Sequence, residues 1–272
     1  MRFEKNTFQK RFDSMLKVDF KRLFLSRTFY IIVAACLVAP ILILVMTTMM
    51  DGSVSVDPQT GKETVIEGFD NVWQIIGSVS TNESASAEAG AAMDMSITSM
   101  CNINMLYFAI TAIVCIFVSE DFRSGYAKNL FTVRAKKTDY VASKTIVTTF
   151  GAAMMILAFF VGSFVGGAVS GLSFEMVGFH AGNLVMCILS KMVLVSVFVP
   201  IYLIMSVVAK QKLWMSILLS VMVGMFLFMM IPMLTPLNAT IGNVFICAVG
   251  SVGFSFGLGA ISNQILKKTS LV

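Results

Sequence analysis

The feature that most constrains this chain is the stretch from Phe29 to Met50, which contains no charged residue. At 1.5 Å per residue it spans a hydrocarbon layer about 30 Å thick. Backbone groups in lipid must bond to one another, so a run of this length is a helix. Five further apolar runs follow, from about Met100 to Ser119, Thr145 to about Ser170, about Asn183 to Ala209, Leu213 to about Leu234, and about Ile241 to Leu266. Lys191 is the one charge inside any of them. The expected fold class is an all-α integral membrane protein with six transmembrane helices. Composition agrees: 57% of residues are apolar and 13% charged, where a soluble domain carries about a quarter charged, and the mean hydropathy is +0.85. That excludes disorder, a disulfide scaffold and almost any soluble enzyme.

Charge sets the orientation. The N-terminal segment holds Arg2, Lys5, Lys10, Arg11, Lys17, Lys21, Arg22 and Arg27. The segment after the second run holds Arg123, Lys128, Arg134, Lys136, Lys137 and Lys144. Lys210 and Lys212 precede the fifth run, and Lys267 and Lys268 follow the sixth. Alternate segments hold only Lys62, so the positive-inside rule puts both termini in the cytoplasm. A net charge of +5 distributed in this way reads as membrane topology, and no nucleic-acid partner is expected. Residues 51–99 form one sizeable external segment, with turns at Asp51-Gly52, Asp57-Pro58 and Thr60-Gly61, and a helical stretch is expected over Glu83 to Ser99. No cleavable leader is expected, because the first 28 residues are highly charged and the first apolar run is too long.

Residues 1–28 are expected to be cytoplasmic and to include an elbow helix over Arg11–Arg27. Phe12, Met15, Leu16, Phe20, Leu23 and Phe24 fall on one helical face. Lys17, Asp19, Lys21 and Arg22 are assigned to the other, polar face, and such a helix lies among lipid headgroups. Residues 29–272 then form the transmembrane domain, with its cytoplasmic loop over 120–144. In that loop Glu120 and Asp121 fit the first turn of a short helix, Gly125 a break, and Thr138-Asp139 the cap of a stretch leading into the third span. A short helix held between two spans is a lever, because force applied to it moves both.

That loop carries a resemblance. An apolar span ends in Ser119-Glu120-Asp121-Phe122. Arg123-Ser124-Gly125-Tyr126-Ala127-Lys128-Asn129-Leu130 follows, then basic Arg134 to Lys137, and Asp139 to Lys144 opens the next span. This resembles permeases of the ABC type-2 exporter family, which show an acidic residue, a Gly shortly after a basic one, and a Lys at the start of the third span. The span number, inside termini and N-terminal amphipathic helix are similar as well. The resemblance implies a half-transporter in a bacterial cytoplasmic membrane. Two permease chains, expected as a homodimer, would be driven by two copies of a separate ABC ATPase. Glu120, Asp121, Phe122, Arg123, Ser124, Gly125, Tyr126, Lys128 and Asn129 would be the coupling residues docked on that ATPase, with help from the elbow residues Phe12, Leu16, Phe20, Lys21, Arg22 and Phe24. The family usually has two re-entrant half-helices between its fifth and sixth spans. Here only about Met230 to Ile241 is available, with Pro232 and Pro236 as breakers.

The chain has no G-x-x-x-x-G-K-[ST], so ATP and Mg are expected on the partner. No catalytic residue and no metal site is expected: His180 is the single histidine, and Cys36, Cys101, Cys115, Cys187 and Cys247 show no ligand spacing. Lys191 lies about eight residues, roughly 12 Å, inside the fourth span. It is a pathway candidate, or else snorkels outward or pairs with Glu175. Met222, Met225 and Met229 of the Met-rich fifth span line an adaptable path or face lipid. Gly162/Gly166, Gly167/Gly171 and Gly253/Gly257 are expected at close helix contacts. Apolar spans suit an amphipathic or hydrophobic cargo, a small toxin or antimicrobial peptide first. An ion-coupled carrier or a sensor is the other class, but a carrier should bury acidic residues in its spans, and none of the six runs contains one.

Overall fold

A computed structural model of the 272-residue chain describes residues 8–56, 63–66, 68–77, 102–133, 137–209, 212–228 and 230–268. The expected helix over Glu83–Ser99, the turns at 57–61 and Cys101 lie outside the described residues. In chain order the elements are α1 (Phe8–Leu25), α2 (Arg27–Met50), β1 (Val54–Val56), β2 (Glu63–Val65) and α3 (Trp73–Ile76). After a 3-10 turn at Ile103–Met105 come α4 (Leu106–Arg123), α5 (Tyr126–Val133), α6 (Lys137–Ser170), α7 (Ala181–Val208), α8 (Leu213–Phe228), α9 (Met230–Leu234) and α10 (Ile241–Lys268).

Among the described residues five helices are long and apolar enough to cross a membrane: α2, α4 with its preceding turn, α6, α7 and α10. The apolar α8 is 16 residues, about 24 Å, and the five-residue α9, which contains Pro232, follows it. Both lie within the run expected as the fifth span; position 229 between them is outside the described residues, and α8 alone is shorter than the five spanning helices. Between α9 and α10 there is space for a turn only, in keeping with the short Met230–Ile241 interval.

The core lies along α4 and α7, whose buried residues include Ile110, Ile113, Val114, Val118, Val195, Phe198, Val199, Tyr202 and Leu203. α2 packs along α6, and α10 along α7. Gly162 and Gly166 allow the first approach: a Cβ on Gly162 would lie 2.7 Å from Pro40 Cγ, and one on Gly166 would lie 2.9 Å from Ile41 Cα. Gly253 and Gly257 do not serve an intrachain contact, for a Cβ at either meets nothing within 4 Å. Ser251 Oγ donates to the Val193 carbonyl (2.8 Å) and Ser255 Oγ to that of Ser196 (3.2 Å). These pairs rise in step, so α10 runs parallel to α7.

The two ends of the bundle differ. At one end, β1 and β2 form an antiparallel hairpin, pairing Val54 with Val65 and Val56 with Glu63. Trp73 of α3 anchors the same segment to the α6–α7 connection. Its indole N–H donates to the Phe174 carbonyl (3.0 Å), and its ring meets those of Phe164, Phe174 and Phe179 edge-on. At the other end α1, the end of α4, α5 and the start of α6 come together. Ser119 and Ser206 approach within 3.4 Å, so the α7–α8 junction lies there too.

Candidate coupling site

The helix α4 continues past the apolar run to Arg123. Glu120 and Asp121 therefore occupy its last turn, a correction to their expected place in the first turn of a short helix. No N-cap intervenes: Phe117 and Val118 carry the apolar face straight into Asp121, and Ser124 Oγ donates back to the Glu120 carbonyl (2.7 Å). Gly125 breaks the helix with φ +71°, a left-handed conformation that costs an ordinary residue about 1–2 kcal/mol. Its carbonyl accepts from Asn129 N–H (3.0 Å), opening α5. α6 begins at Lys137, so Asp139 lies in its first turn.

One residue of α4 turns inward. Asp121 is fully buried, as are Asp19 of α1 and Lys144 of α6. Lys144 Nζ stands 2.8 Å from Asp19 Oδ1 and 2.7 Å from Asp121 Oδ2. Arg22 reaches in from α1 to 2.6 Å from Asp121 Oδ1, and 3.8 Å from Asp19 Oδ1. Tyr140 O–H donates to Asp121 Oδ2 (2.9 Å), and Ser143 O–H to Asp19 Oδ2 (2.7 Å). Aromatic rings wall the group: Lys144 Nζ is 4.0 Å from the Phe117 ring centre, and the Arg22 guanidinium 4.2 Å from that of Tyr126. Two acids and two bases balance, so each buried charge has an opposite within contact, the condition under which burial of ions is tolerated. A fifth ion pair, Arg11 Nε to Asp139 Oδ2 at 3.3 Å, joins α1 to the start of α6 again.

The quartet tunes its neighbours. Burial alone would lower the Arg22 pKa, but the contact with Asp121, aided by Tyr126 and Asp19, outweighs it and leaves the pKa raised. The Tyr126 phenol is also raised, first by burial and then by the two carboxylates, against the opposing pull of Arg22. It stays a neutral phenol beside the cation.

Of the expected coupling residues, Glu120, Arg123, Ser124, Lys128 and Asn129 are exposed, while Phe122, Gly125 and Tyr126 are half-buried. Asp121 belongs to the interior. In the elbow, Leu16 and Phe20 pack against the core, Phe12 is half-buried and Lys21 exposed. Phe24 is partly exposed and meets Phe29 and Phe150 edge-on. Asp19 and Arg22 do not sit on a solvent face as expected. Asp19 lies between Met15 and Leu23 at four-residue spacing, which puts it on the buried arc. A lone acid at i+4 and i−4 from two core residues was the signal in the sequence that pointed to it. Lys144 is seven residues inside α6 and fully buried.

Among the described residues the expected pathway residues Lys191, Met222 and Met225 are not brought together. Met222 and Met225 are 55% and 61% exposed and point away from this chain's core; the Met229 side chain lies outside the described residues. Lys191 is buried and neither snorkels nor pairs with Glu175. Its Nζ donates to Asn104 Oδ1 and Thr235 Oγ1, each at 2.9 Å. His180 is the residue before α7, its backbone N–H donating to Asn183 Oδ1 (3.4 Å). Among the described residues no group of three or more His, Cys, Asp or Glu is placed to hold a metal.

Known proteins identify what this frame belongs to. The model of a family described as ABC-2 family transporter protein matches residues 15–228, from the elbow helix to the end of α8 and across the whole charged quartet. The chain belongs to the ABC-2 transporter family. It is a multi-pass helical membrane protein and a transporter's membrane component. No curated protein and no solved structure matches it.

Proposed function

We propose that this chain is the permease subunit of an ATP-driven exporter in a bacterial cytoplasmic membrane, with its charged end in the cytoplasm and its work supplied by a separate ABC ATPase. The observation that carries this is the quartet Asp19–Arg22–Asp121–Lys144 directly behind α5. It binds the elbow, α4 and α6 into one body, while the side of the α4–α5 corner bearing Glu120, Arg123, Lys128 and Asn129 is polar and exposed. A push on that corner is carried into two spans and the elbow together, because a net-neutral cluster tied by four ion pairs resists rearrangement. ATP and Mg belong to the partner on this reading.

Two permease chains and two ATPases complete the transporter. The outward faces of α8 and α10, including Trp214, Leu218, Phe226, Phe245 and Phe256, are largely exposed, and a second copy or lipid covers them. The cargo is amphipathic or hydrophobic, with a small toxin or antimicrobial peptide the first choice, since no acidic residue interrupts the apolar runs. The test is expression with candidate ABC ATPases of the same genome, followed by complex stoichiometry and ATP hydrolysis in vesicles. Two of each subunit and hydrolysis stimulated by an amphipathic cationic peptide are expected. Unstimulated hydrolysis would remove the peptide cargo, and failure to isolate any complex would remove the coupled permease.

A further inference from the structure

At the end of the bundle opposite the charged quartet lies a cavity of about 320 Å³. Along α4 the two are separated by the residues from Asn104 to Asp121, about 25 Å of helix. Gly77, Asn104, Lys191, Thr235 and Leu237 line its inner part, and the exposed Val177 and Asn238 its mouth. The Lys191 side chain is 1% exposed. Its ammonium has three donors, and two go to the neutral oxygens of Asn104 and Thr235. Those acceptors are themselves held. Asn104 backbone N–H donates to Asn102 Oδ1 (2.9 Å), and Thr235 O–H donates to the Ile231 carbonyl (2.7 Å). Among the described residues no carboxylate is within ion-pair distance of Lys191. The contrast with Lys144 is direct: one buried lysine has two carboxylates, the other an amide and a hydroxyl beside a cavity.

We propose that this cavity binds the phosphate of an anionic phospholipid headgroup, with Lys191 as its cationic anchor. Among the described residues this buried ammonium has neutral partners alone, a costly arrangement, and an anion entering the cavity supplies a counter-charge through the remaining donor. The volume holds a headgroup, not a whole lipid. The surroundings suit the rest of the molecule: Val177 at the mouth is 70% exposed, and the neighbouring Phe174 and Met176 are exposed as well. Anchor and mouth together match an amphiphile with its charge inside and its chains outside. The inference does not rest on ATP-driven export.

The test uses the full-length chain in maltoside micelles without ATP, so its failure leaves the coupling reading untouched. The sequence holds two Trp. In a Trp214→Phe background the remaining Trp73 reports on the site, because its ring lies 5.8 Å from that of Phe179, which lines the cavity. Dihexanoyl phosphatidic acid is expected to give a saturable fluorescence change. Lys191→Met should weaken that binding roughly tenfold or more, the usual worth of a charge-assisted contact. Should Lys191→Met misfold, Asn104→Asp decides. It leaves Lys191 in place, supplies an internal carboxylate, and should abolish binding while the unfolding temperature holds or rises. Unchanged affinity in Asn104→Asp, no saturable change in the parent, or inorganic phosphate binding as tightly as the phosphatidic acid would each overturn the lipid site.

Discussion

Replacing Lys144 by Met tests the quartet. Lys144 is fully buried and lies 2.8 Å and 2.7 Å from the carboxylates of Asp19 and Asp121. Met keeps all but the last atom of its length and removes its charge. Two buried carboxylates then share Arg22, which is near one at 2.6 Å and remote from the other at 3.8 Å. Removing one member of a buried ion pair costs about 3–5 kcal/mol, because the partner charge stays buried. The same change at the exposed Lys212 should cost no more than about 0.5 kcal/mol. Adding Asp19→Asn to Lys144→Met removes the stranded charge, preserves an acceptor for Ser143, and leaves Arg22 with Asp121. The double variant should therefore recover roughly 0.5–3 kcal/mol relative to the sum of the singles. Reversible unfolding in mixed micelles reads all four values. A Lys144→Met protein as stable as Lys212→Met, or additive single effects, would refute the account of the quartet.

Other outcomes follow from single contacts. Gly162→Leu should destabilise by about 1–3 kcal/mol by separating α2 from α6, whereas Gly253→Leu, where a Cβ meets no atom of this chain within 4 Å, should not lower the unfolding temperature. Gly125→Ala should cost about 1–2 kcal/mol, because φ +71° is strained for any side chain, and should lower ATPase stimulation in the complex. Glu120→Ala with Arg123→Ala should lose copurification with the ATPase while keeping wild-type stability, since both side chains are exposed; retained binding would remove the docking role from this corner.

The apolar runs made the helices legible, because nothing but a spanning helix satisfies that much backbone in lipid. Their ends were less so. Hydropathy stops at Ser119 and resumes at Thr145, yet α4 reaches Arg123 and α6 begins at Lys137. Asp121, Asp139 and Lys144 there are neutralised by partners on other helices, which no local pattern shows. Arg22 looked like a solvent-facing residue for the same reason, whereas the four-residue spacing of Asp19 from Met15 and Leu23 was a local sign of burial. The coupling corner was legible as a location, through its acidic, basic and Gly spacing, but its division into an exposed side and the inward Asp121 depends on tertiary packing. Lys191 stood out as a charge in an apolar run. Its neutral partners came from Asn104 and Thr235, which hydropathy does not flag.

The most direct measurement places a photo-crosslinking residue at position 128, on the exposed side of α5, and another at position 177, at the opposite end of the bundle, in the permease–ATPase complex. The ATPase should be captured from position 128 and not from position 177, with capture changing when ATP is added. Capture from position 177 alone, or from neither position in an intact complex, would contradict docking at the α4–α5 corner.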